Sequence, residues 1–222
     1  MGKLYIVATP IGNLKDITFR AIETLKAVDL IAAEDTRHTK KLLTHYDIRT
    51  PLTSYFEHNQ IKKADFLIEE LKSGKSIAIV SDAGTPGISD PGFVIINRAI
   101  KEDIKIEAIP GPSALITGLV LSGLPTDSFI FEGFLSPKTA KRRKQLEALK
   151  GQERTIILYE SFHRILKTLE DISDILPDAK LVCVREATKI FEEVVRAGAK
   201  EVLDYFRHHP AKGEFVLIFS QK

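Results

Sequence analysis

The apolar residues of the first half of the chain form short runs, and these runs alternate with segments of helical spacing. Near-continuous apolar runs are typical of strands that are covered on both faces. We predict such strands over residues 3–8, 29–33, 76–80 and 105–109. We predict helices over residues 16–27, 39–46, 60–73 and 92–101, the first with Asp16 as its N-cap. Strands that alternate with helices indicate a mostly parallel sheet.

The pattern changes after Pro125, where strand-like runs follow one another more closely. Strands are predicted over residues 128–133, 154–159, 180–185, 193–197 and 214–219. Helices are predicted over residues 138–150, 161–176 and 200–208. The apolar helix that begins near Ser113 has only about a dozen residues, which indicates a core helix and no membrane span. We therefore predict two α/β domains, residues 1–115 and 116–222.

Composition adds only broad limits. The net charge of the 222 residues is +2, so a nucleic-acid site would have to be a local patch. The one cysteine, Cys183, lies in an apolar run and excludes both a disulfide framework and a Cys-rich zinc site. A single buried thiol fits a reducing cytoplasm, where we expect the protein to act. We find no cluster of metal ligands in the sequence and expect no metal.

Three segments rich in glycine and proline follow predicted strands, at the edge where parallel sheets bind ligands. They are residues 9–14, 81–92 and 110–114. The second has three glycines and two prolines, a combination that lets a stiff backbone approach a ligand closely and favours a functional loop. An ordinary turn explains the first segment equally well, and that segment lacks the dinucleotide-binding glycine spacing. For the third segment, taken alone, a rigid turn with Ser113 near the helix N-terminus is the better explanation.

Charged residues also follow predicted strands. Glu34, Asp35 and Arg37 come directly after the strand at 29–33, and Glu160 comes after the strand at 154–159. Carboxylates at such positions are useful in a cleft, although an exposed helix start with a capping Asp explains the first group as well. Residues 138–150 form a basic helix that is either an RNA contact or a solvated face. Its candidate phosphate contacts are Lys138, Lys141, Arg142, Arg143 and Lys144.

Taken in order, five motifs resemble the ribosomal RNA methyltransferases of the tetrapyrrole (corrin/porphyrin) methylase superfamily. The motifs are V-A-T-P-I-G-N-L-x-D, A-E-D-T-R, S-D-A-G-T-P-G-I-S-D-P-G, P-G-P-S-A and L-Y-E-S-x-H-R, and the match extends from Leu4 to Phe219. The resemblance implies two α/β domains with S-adenosylmethionine in the cleft between them, and a homodimer. It also implies 2′-O-methylation of a cytidine ribose in small-subunit (16S) ribosomal RNA, either as free RNA or in the assembled 30S subunit.

The resemblance carries specific site residues. The implied cofactor contacts are Ile11, Gly12, Ala83, Gly84, Thr85, Ile88, Ser113, Ala114, Glu160 and Ala187. Methyl transfer to a ribose hydroxyl benefits from a general base, because the hydroxyl is a poor nucleophile until its proton is removed. Asp35 is the first candidate and Glu34 the second, with Arg37 orienting a phosphate.

Two other functions remain compatible with these residues. A corrin- or porphyrin-pathway C-methyltransferase on the same fold would need a large apolar trough and no strong basic patch. A non-catalytic, cofactor-sensing RNA-binding module would have no need of acids at Glu34 and Asp35. Mapping the label that is transferred from radiolabelled cofactor to RNA separates all three.

Overall fold

A computed structural model describes residues 2–222 of the chain, which divide into two compact units. The first unit ends at Ser113, and the second extends from Ala114 to Lys222. The predicted boundary, between residues 115 and 116, lies two residues further along. Each unit contains one five-stranded sheet.

The first unit alternates strands and helices along its whole length. Its elements are β1 (Lys3–Val7), α1 (Phe19–Ala27), β2 (Leu30–Ala33), α2 (Thr36–His45), β3 (Leu52–Ser54), α3 (Gln60–Lys72), β4 (Ile77–Val80), α4 (Phe93–Lys101) and β5 (Lys105–Ile109). The strand order is β3-β2-β4-β1-β5, and every pair is parallel. The carboxyl ends of all five strands therefore lie along one edge, and the loops that follow them share that edge.

Helices cover both faces of this sheet. Leu25 of α1 and Leu42 of α2 pack with Ile31 and Val80 on one face. On the other face, α3 and α4 pack against the alternate strand residues, among them Ile79. Because both faces are buried, the strands are apolar at successive positions, which is why they could be recognised in the sequence.

The second unit has a mixed sheet. Its elements are α5 (Ala114–Ser122), β6 (Phe129–Phe134), α6 (Thr139–Ala148), β7 (Thr155–Ser161), α7 (Ile165–Ile175), β8 (Lys180–Arg185), β9 (Glu193–Gly198), α8 (Ala199–His208) and β10 (Glu214–Ser220). The strand order is β6-β7-β10-β8-β9. Only β6 and β7 are parallel, and the other three pairs are antiparallel.

One face of the second sheet packs against α6, α7 and α8, and the other packs against α5. Helix α5 approaches β10 closely, since a Cβ atom built on Gly118 would lie 2.8 Å from Val216 Cγ1. Cys183 is fully buried in the larger of the two cores, which fits the small apolar role expected for a lone cysteine.

Two local details differ from the sequence expectations. Asp16 is not the N-cap of α1, because Leu14–Asp16 form a short 3-10 turn and the Thr18 hydroxyl accepts the Ala21 N–H at 3.1 Å. Strand β3 was not predicted. Leu52 is the only large apolar residue among its three residues, so its hydrophobic pattern is too short to indicate a strand.

Candidate functional site

The first two glycine-rich loops of the first unit are joined by backbone hydrogen bonds. The Thr9 N–H donates to the Gly84 carbonyl at 2.8 Å, and the Gly84 N–H donates to the Thr9 carbonyl at 3.0 Å. The Thr9 hydroxyl also donates to the Ser81 carbonyl at 3.1 Å. The loops that follow β1 and β4 are therefore held together at the carboxyl edge of the sheet.

Gly84 lies where three loops meet. A Cβ atom built on it would be 3.5 Å from Ile11 Cγ2 in the first loop and 3.8 Å from the Pro112 carbonyl in the third. Both are ordinary contact distances, so lack of space does not require glycine here. The requirement comes from the backbone, whose φ of +77° is a conformation that residues with a side chain rarely adopt.

The second loop turns back on itself beyond Gly84. Gly87 has φ +86° and Ser89 has φ +64°. A Cβ atom on Gly92 would lie 2.7 Å from the Gly87 backbone nitrogen, so these two segments touch through backbone alone. Positive φ at a residue other than glycine is uncommon and is often found at ligand-binding segments.

The cofactor residues implied by the resemblance differ in exposure within this unit. Gly12, Ala83 and Ile88 are exposed, and Thr85 and Ser113 are partly exposed. Ile11 is 7% exposed and Gly84 is also buried, so these two form the floor of the loop cluster. The structure thus brings all three loops together and leaves the small residues of the second loop accessible.

Asp82 connects this cluster to the acids that follow β2. Its Oδ1 accepts the Asp35 N–H at 3.0 Å, and its own N–H donates to Glu34 Oε2 at 3.3 Å. Asp82 lies in the second loop, where the sequence pattern indicates no role for it. Its neighbours could not be known from the sequence, because they lie 47 and 48 residues away in the chain.

Asp35 is engaged as the N-cap of α2. Its Oδ1 accepts the Arg37 N–H at 2.8 Å, and its Oδ2 lies 3.3 Å from Arg37 Nη2. The Arg37 backbone N–H, and then its guanidinium, lower the pKa of Asp35. A carboxylate whose charged form is stabilised in this way is a weak base, so the geometry argues against Asp35 as first candidate.

Glu34 has the opposite surroundings. It is half-buried, and burial raises the pKa of its carboxyl group. The Asp82 N–H lowers that pKa, and the nearby carboxylates of Asp82 and Asp35 raise it. A carboxylate with a raised pKa and few hydrogen bonds is a better proton acceptor than its neighbour. Glu34 is therefore the stronger candidate base.

In the second unit, Glu160 is a buried structural residue. Its carboxylate accepts the Ser161 N–H at 2.7 Å and the Thr168 hydroxyl at 2.6 Å, and it pairs with Arg164 at 2.7 Å. The Glu160 side chain is only 1% exposed. The expectation that it contacts the cofactor is therefore wrong for the carboxylate, whose oxygens are used within the unit.

Ala114 and Ala187 pack against the same apolar cluster of the second unit, the one beneath α5. Ala187 lies between two residues with positive φ, Glu186 at +52° and Thr188 at +66°. The Tyr159 hydroxyl accepts the Leu115 N–H at 2.9 Å and so holds the start of α5 against β7. These contacts place two of the implied residues together on one face of this unit.

The basic helix α6 is not the uniform charged face that was expected. Arg142 is 2% exposed, and its Nε and Nη2 both lie 2.7 Å from Asp171 Oδ2. Arg143 Nη1 lies 2.7 Å from Asp171 Oδ1 and 3.0 Å from Asp174. Arg142 as an RNA contact is therefore wrong, because α6 uses it to pack on α7. Arg143 is partly committed to the same contact.

The three lysines predicted as RNA contacts, Lys138, Lys141 and Lys144, are exposed. Within residues 2–222, no group of three His, Cys, Asp or Glu side chains is arranged to hold a metal ion. In the same part of the chain, no helix combines the length and apolar character needed to cross a membrane.

Comparison with known proteins identifies the fold and the family. Residues 3–203 match the family model for Tetrapyrrole (Corrin/Porphyrin) Methylases. A Synechocystis sp. protein named Ribosomal RNA small subunit methyltransferase I is 51% identical over 99% of this chain and 79% of its own. A Thermotoga maritima protein of that name is 47% identical over 100% of both chains.

Among solved structures, uroporphyrin-III C-methyltransferase from Thermus thermophilus, complexed with S-adenyl homocysteine, has the same fold with a TM-score of 0.68. It is 16% identical, and the match covers 98% of this chain and 97% of that one. This likeness supports the expected pair of α/β units, and the much closer relatives specify the group. The chain belongs to the tetrapyrrole methylase family and, within it, to the methyltransferases named ribosomal RNA small subunit methyltransferase I.

Proposed function

We propose that this methyltransferase transfers a methyl group from S-adenosylmethionine to the 2′-hydroxyl of a cytidine ribose in small-subunit ribosomal RNA. The names of its relatives support the RNA substrate. The observation that carries the chemistry is Glu34, a half-buried carboxylate with a raised pKa beside the three-loop cluster. A carboxylate with a raised pKa is a better proton acceptor than an ordinary one, and a ribose nucleophile requires such an acceptor.

The three-loop cluster of the first unit fits a small cofactor with amino acid and nucleoside parts. Its accessible residues, Ala83 and Thr85, are small, and the left-handed conformations of Gly84 and Gly87 shape the turn that presents them. We propose that these residues, together with Gly12, bind the cofactor. When bound, S-adenosylmethionine supplies a methyl group on a positively charged sulfur.

The residues around Glu34 have distinct roles in this proposal. Glu34 accepts the proton of the ribose hydroxyl while that oxygen becomes methylated. Asp82 holds Glu34 in place through its backbone N–H and anchors the start of α2 through its carboxylate. Asp35 caps α2 and positions Arg37, whose exposed guanidinium is suited to a phosphate of the substrate.

Ser113, Ala114, Ile88 and Ala187 remain proposed cofactor contacts, and a homodimer remains the proposed assembly. Light scattering on the purified protein measures the assembly directly. We expect the reaction to take place in the cytoplasm, on free 16S RNA or on the assembled 30S subunit.

The proposal is tested by incubating the protein with S-adenosylmethionine labelled in its methyl group and either naked 16S RNA or 30S subunits. We expect label on the ribose of a single cytidine, with no metal added. Label on a base would contradict the 2′-hydroxyl as the acceptor. RNA binding with no transfer to either substrate would support the non-catalytic alternative, and transfer only to a tetrapyrrole would support the C-methyltransferase.

A further inference from the structure

A groove with a volume of about 770 Å³ lies between α2 and β3 in the first unit. Three basic side chains, Arg37, Lys40 and Arg49, line it, and none of its lining residues is acidic. Hydroxyl groups from Thr53 and Ser54 of β3 lie along the same groove. Arg37 belongs to the A-E-D-T-R motif, but neither the motifs nor the proposed cofactor contacts account for Lys40, Arg49 or the hydroxyl groups beside them.

The basic groups of the groove are accessible. The side chains of Arg37 and Arg49 are 91% and 88% exposed. Each pairs with a carboxylate two residues away, Asp35 and Asp47, and such exposed pairs are weak and easily exchanged. Lys40 is exposed and forms no ion pair with any residue that the structure describes. All three cations can therefore bind an external anion.

The fold explains why these residues line one surface. Arg37, Lys40 and Thr44 are spaced three and four residues apart on α2, which places them on one helix face. Leu42 packs into the core, and Leu43 contacts the core while also lining the floor of the groove. Strand β3 is at the edge of its sheet, so its outer side is open.

The chemistry of the groove selects its occupant. Separated cations with hydroxyl groups between them match a chain of phosphates joined by sugars, since phosphates accept bonds from Arg and Lys and sugars exchange bonds with hydroxyls. The lining includes no aromatic side chain on which a base could stack. Recognition here is therefore of the backbone and not of base sequence.

We propose that this groove binds the sugar-phosphate backbone of the substrate RNA next to the methylated nucleotide. The inference rests on the proposed function, because it places the groove beside Glu34. Asp35 directly follows Glu34 in the chain and is ion-paired at 3.3 Å with Arg37, which lines the groove. In this proposal the groove, and not α6, is the main RNA contact, because Arg142 of α6 is buried in an ion pair with Asp171.

The test compares two double variants with the same loss of charge. Lys40→Gln/Arg49→Gln removes two groove cations, and Lys141→Gln/Lys144→Gln removes two exposed lysines of α6. Binding of a single-stranded 16S RNA fragment is measured by fluorescence anisotropy across KCl concentrations. Loss of two phosphate contacts should lower the salt slope by about 1.4 and weaken binding roughly 25-fold at ~0.1 M KCl.

We expect this change for the groove variant only, with a higher KM for RNA, a nearly unchanged kcat and unchanged cofactor affinity. Circular dichroism checks that both variants are folded. A groove variant with the wild-type slope would overturn the inference, as would a loss of slope confined to the α6 variant. A change in oligomeric state without a change in RNA binding would instead assign the groove to a second copy of the chain.

Wild-type methylation in the same experiment separates this inference from the proposed function. If the wild-type protein methylates 16S RNA and the groove variant keeps its KM, the function stands and the groove assignment is wrong. If the wild-type protein binds RNA but transfers no methyl group, the proposed function is wrong. The salt slopes still decide whether the groove holds RNA.

Discussion

The buried charges of the molecule lie in its second unit, where Arg142, Glu160 and Asp171 are each less than 5% exposed. In the first unit, the charged residues Glu34, Arg37 and Lys40 are partly or fully exposed. The buried polar residues that the structure describes between positions 2 and 113 are all uncharged: Thr9, Thr39 and Ser81.

The difference follows from architecture. In the first unit, the charged groups follow strands of a parallel sheet, and the carboxyl edge of such a sheet is open to ligands. In the second unit, Arg142 and Asp171 are on helices that pack against each other, so their charges are satisfied internally. Glu160, at the end of β7, is also satisfied internally, by Thr168 and Arg164. The accessibility of a charged residue in this chain therefore depends on the tertiary partners that the fold gives it. The local density of charge in the sequence does not decide it.

The largest expected effect comes from breaking the buried pair of the second unit. Asp171→Ala leaves Arg142 buried without a charged partner, and removing one member of such a pair costs about 3–5 kcal/mol of unfolding free energy. Denaturant unfolding measures the loss. Arg207→Ala is the matched control, since the Arg207 pair with Glu170 is about half exposed and should contribute little. Similar losses of stability in both variants would contradict the claim that the buried ion pair matters more than the exposed one.

The next effect separates backbone strain from cofactor binding in the first unit. Gly84 and Gly151 have the same φ of +77°, and a Cβ atom on Gly151 would meet nothing within 4 Å. Gly84→Ala and Gly151→Ala should therefore each lose about 1–2 kcal/mol of stability. Calorimetry with S-adenosylmethionine should show weaker binding for Gly84→Ala alone. Equal affinities in the two folded variants would remove the second loop from the cofactor site.

Most of the fold could be predicted from the sequence, because apolar runs and helical spacing are local signals. Strands β5 and β8 were predicted at their observed bounds. Strand β3 was missed because its pairing with β2 decides its structure, and its three residues carry little pattern of their own. The antiparallel order of the second sheet also depends on tertiary pairing, which periodicity does not report.

The site could be predicted only in part. The loop motif at residues 81–92 and the acids after β2 were identified because their residue types are special. Asp35 was ranked above Glu34 as the base, but the sequence could not decide this order, since it depends on which carboxylate accepts the Arg37 N–H and which one is buried. The burial of Arg142 depends on Asp171, 29 positions away, so the basic run alone suggested an exposed face.

A smaller effect is expected at Cys183. Burial raises the pKa of its thiol well above its ordinary value, so the thiolate is scarce at neutral pH. Cys183→Ala should cost about 1 kcal/mol of stability and leave turnover per folded molecule near wild type. The native thiol should resist alkylation by iodoacetamide until the protein unfolds. Rapid alkylation of the folded protein, or an inactive folded variant, would show that this cysteine does more than fill the core.

The smallest effect concerns stability at Glu34. Because its folded pKa is raised, the folded state favours the protonated form, and that stabilisation is lost as pH rises through the raised pKa. Glu34→Gln removes this pH dependence, so the variant should gain stability relative to wild type as pH rises from the ordinary pKa of a glutamate through the raised folded pKa. Parallel unfolding curves across pH measure the difference. A variant that becomes relatively less stable as pH rises would mean that the Glu34 charge is stabilised.

The central claim is that Glu34, and not Asp35, accepts the proton of the ribose hydroxyl. Its most direct test is single-turnover methylation of 16S RNA by Glu34→Gln and Asp35→Asn at saturating RNA and cofactor, across pH. The Glu34→Gln rate should fall by about 10²–10⁴-fold. Asp35→Asn, whose side chain can still cap α2, should retain most of its rate. Wild-type activity should decline as pH falls through the raised pKa of Glu34. A Glu34→Gln rate within a few-fold of wild type, with a large loss in Asp35→Asn, would contradict the claim.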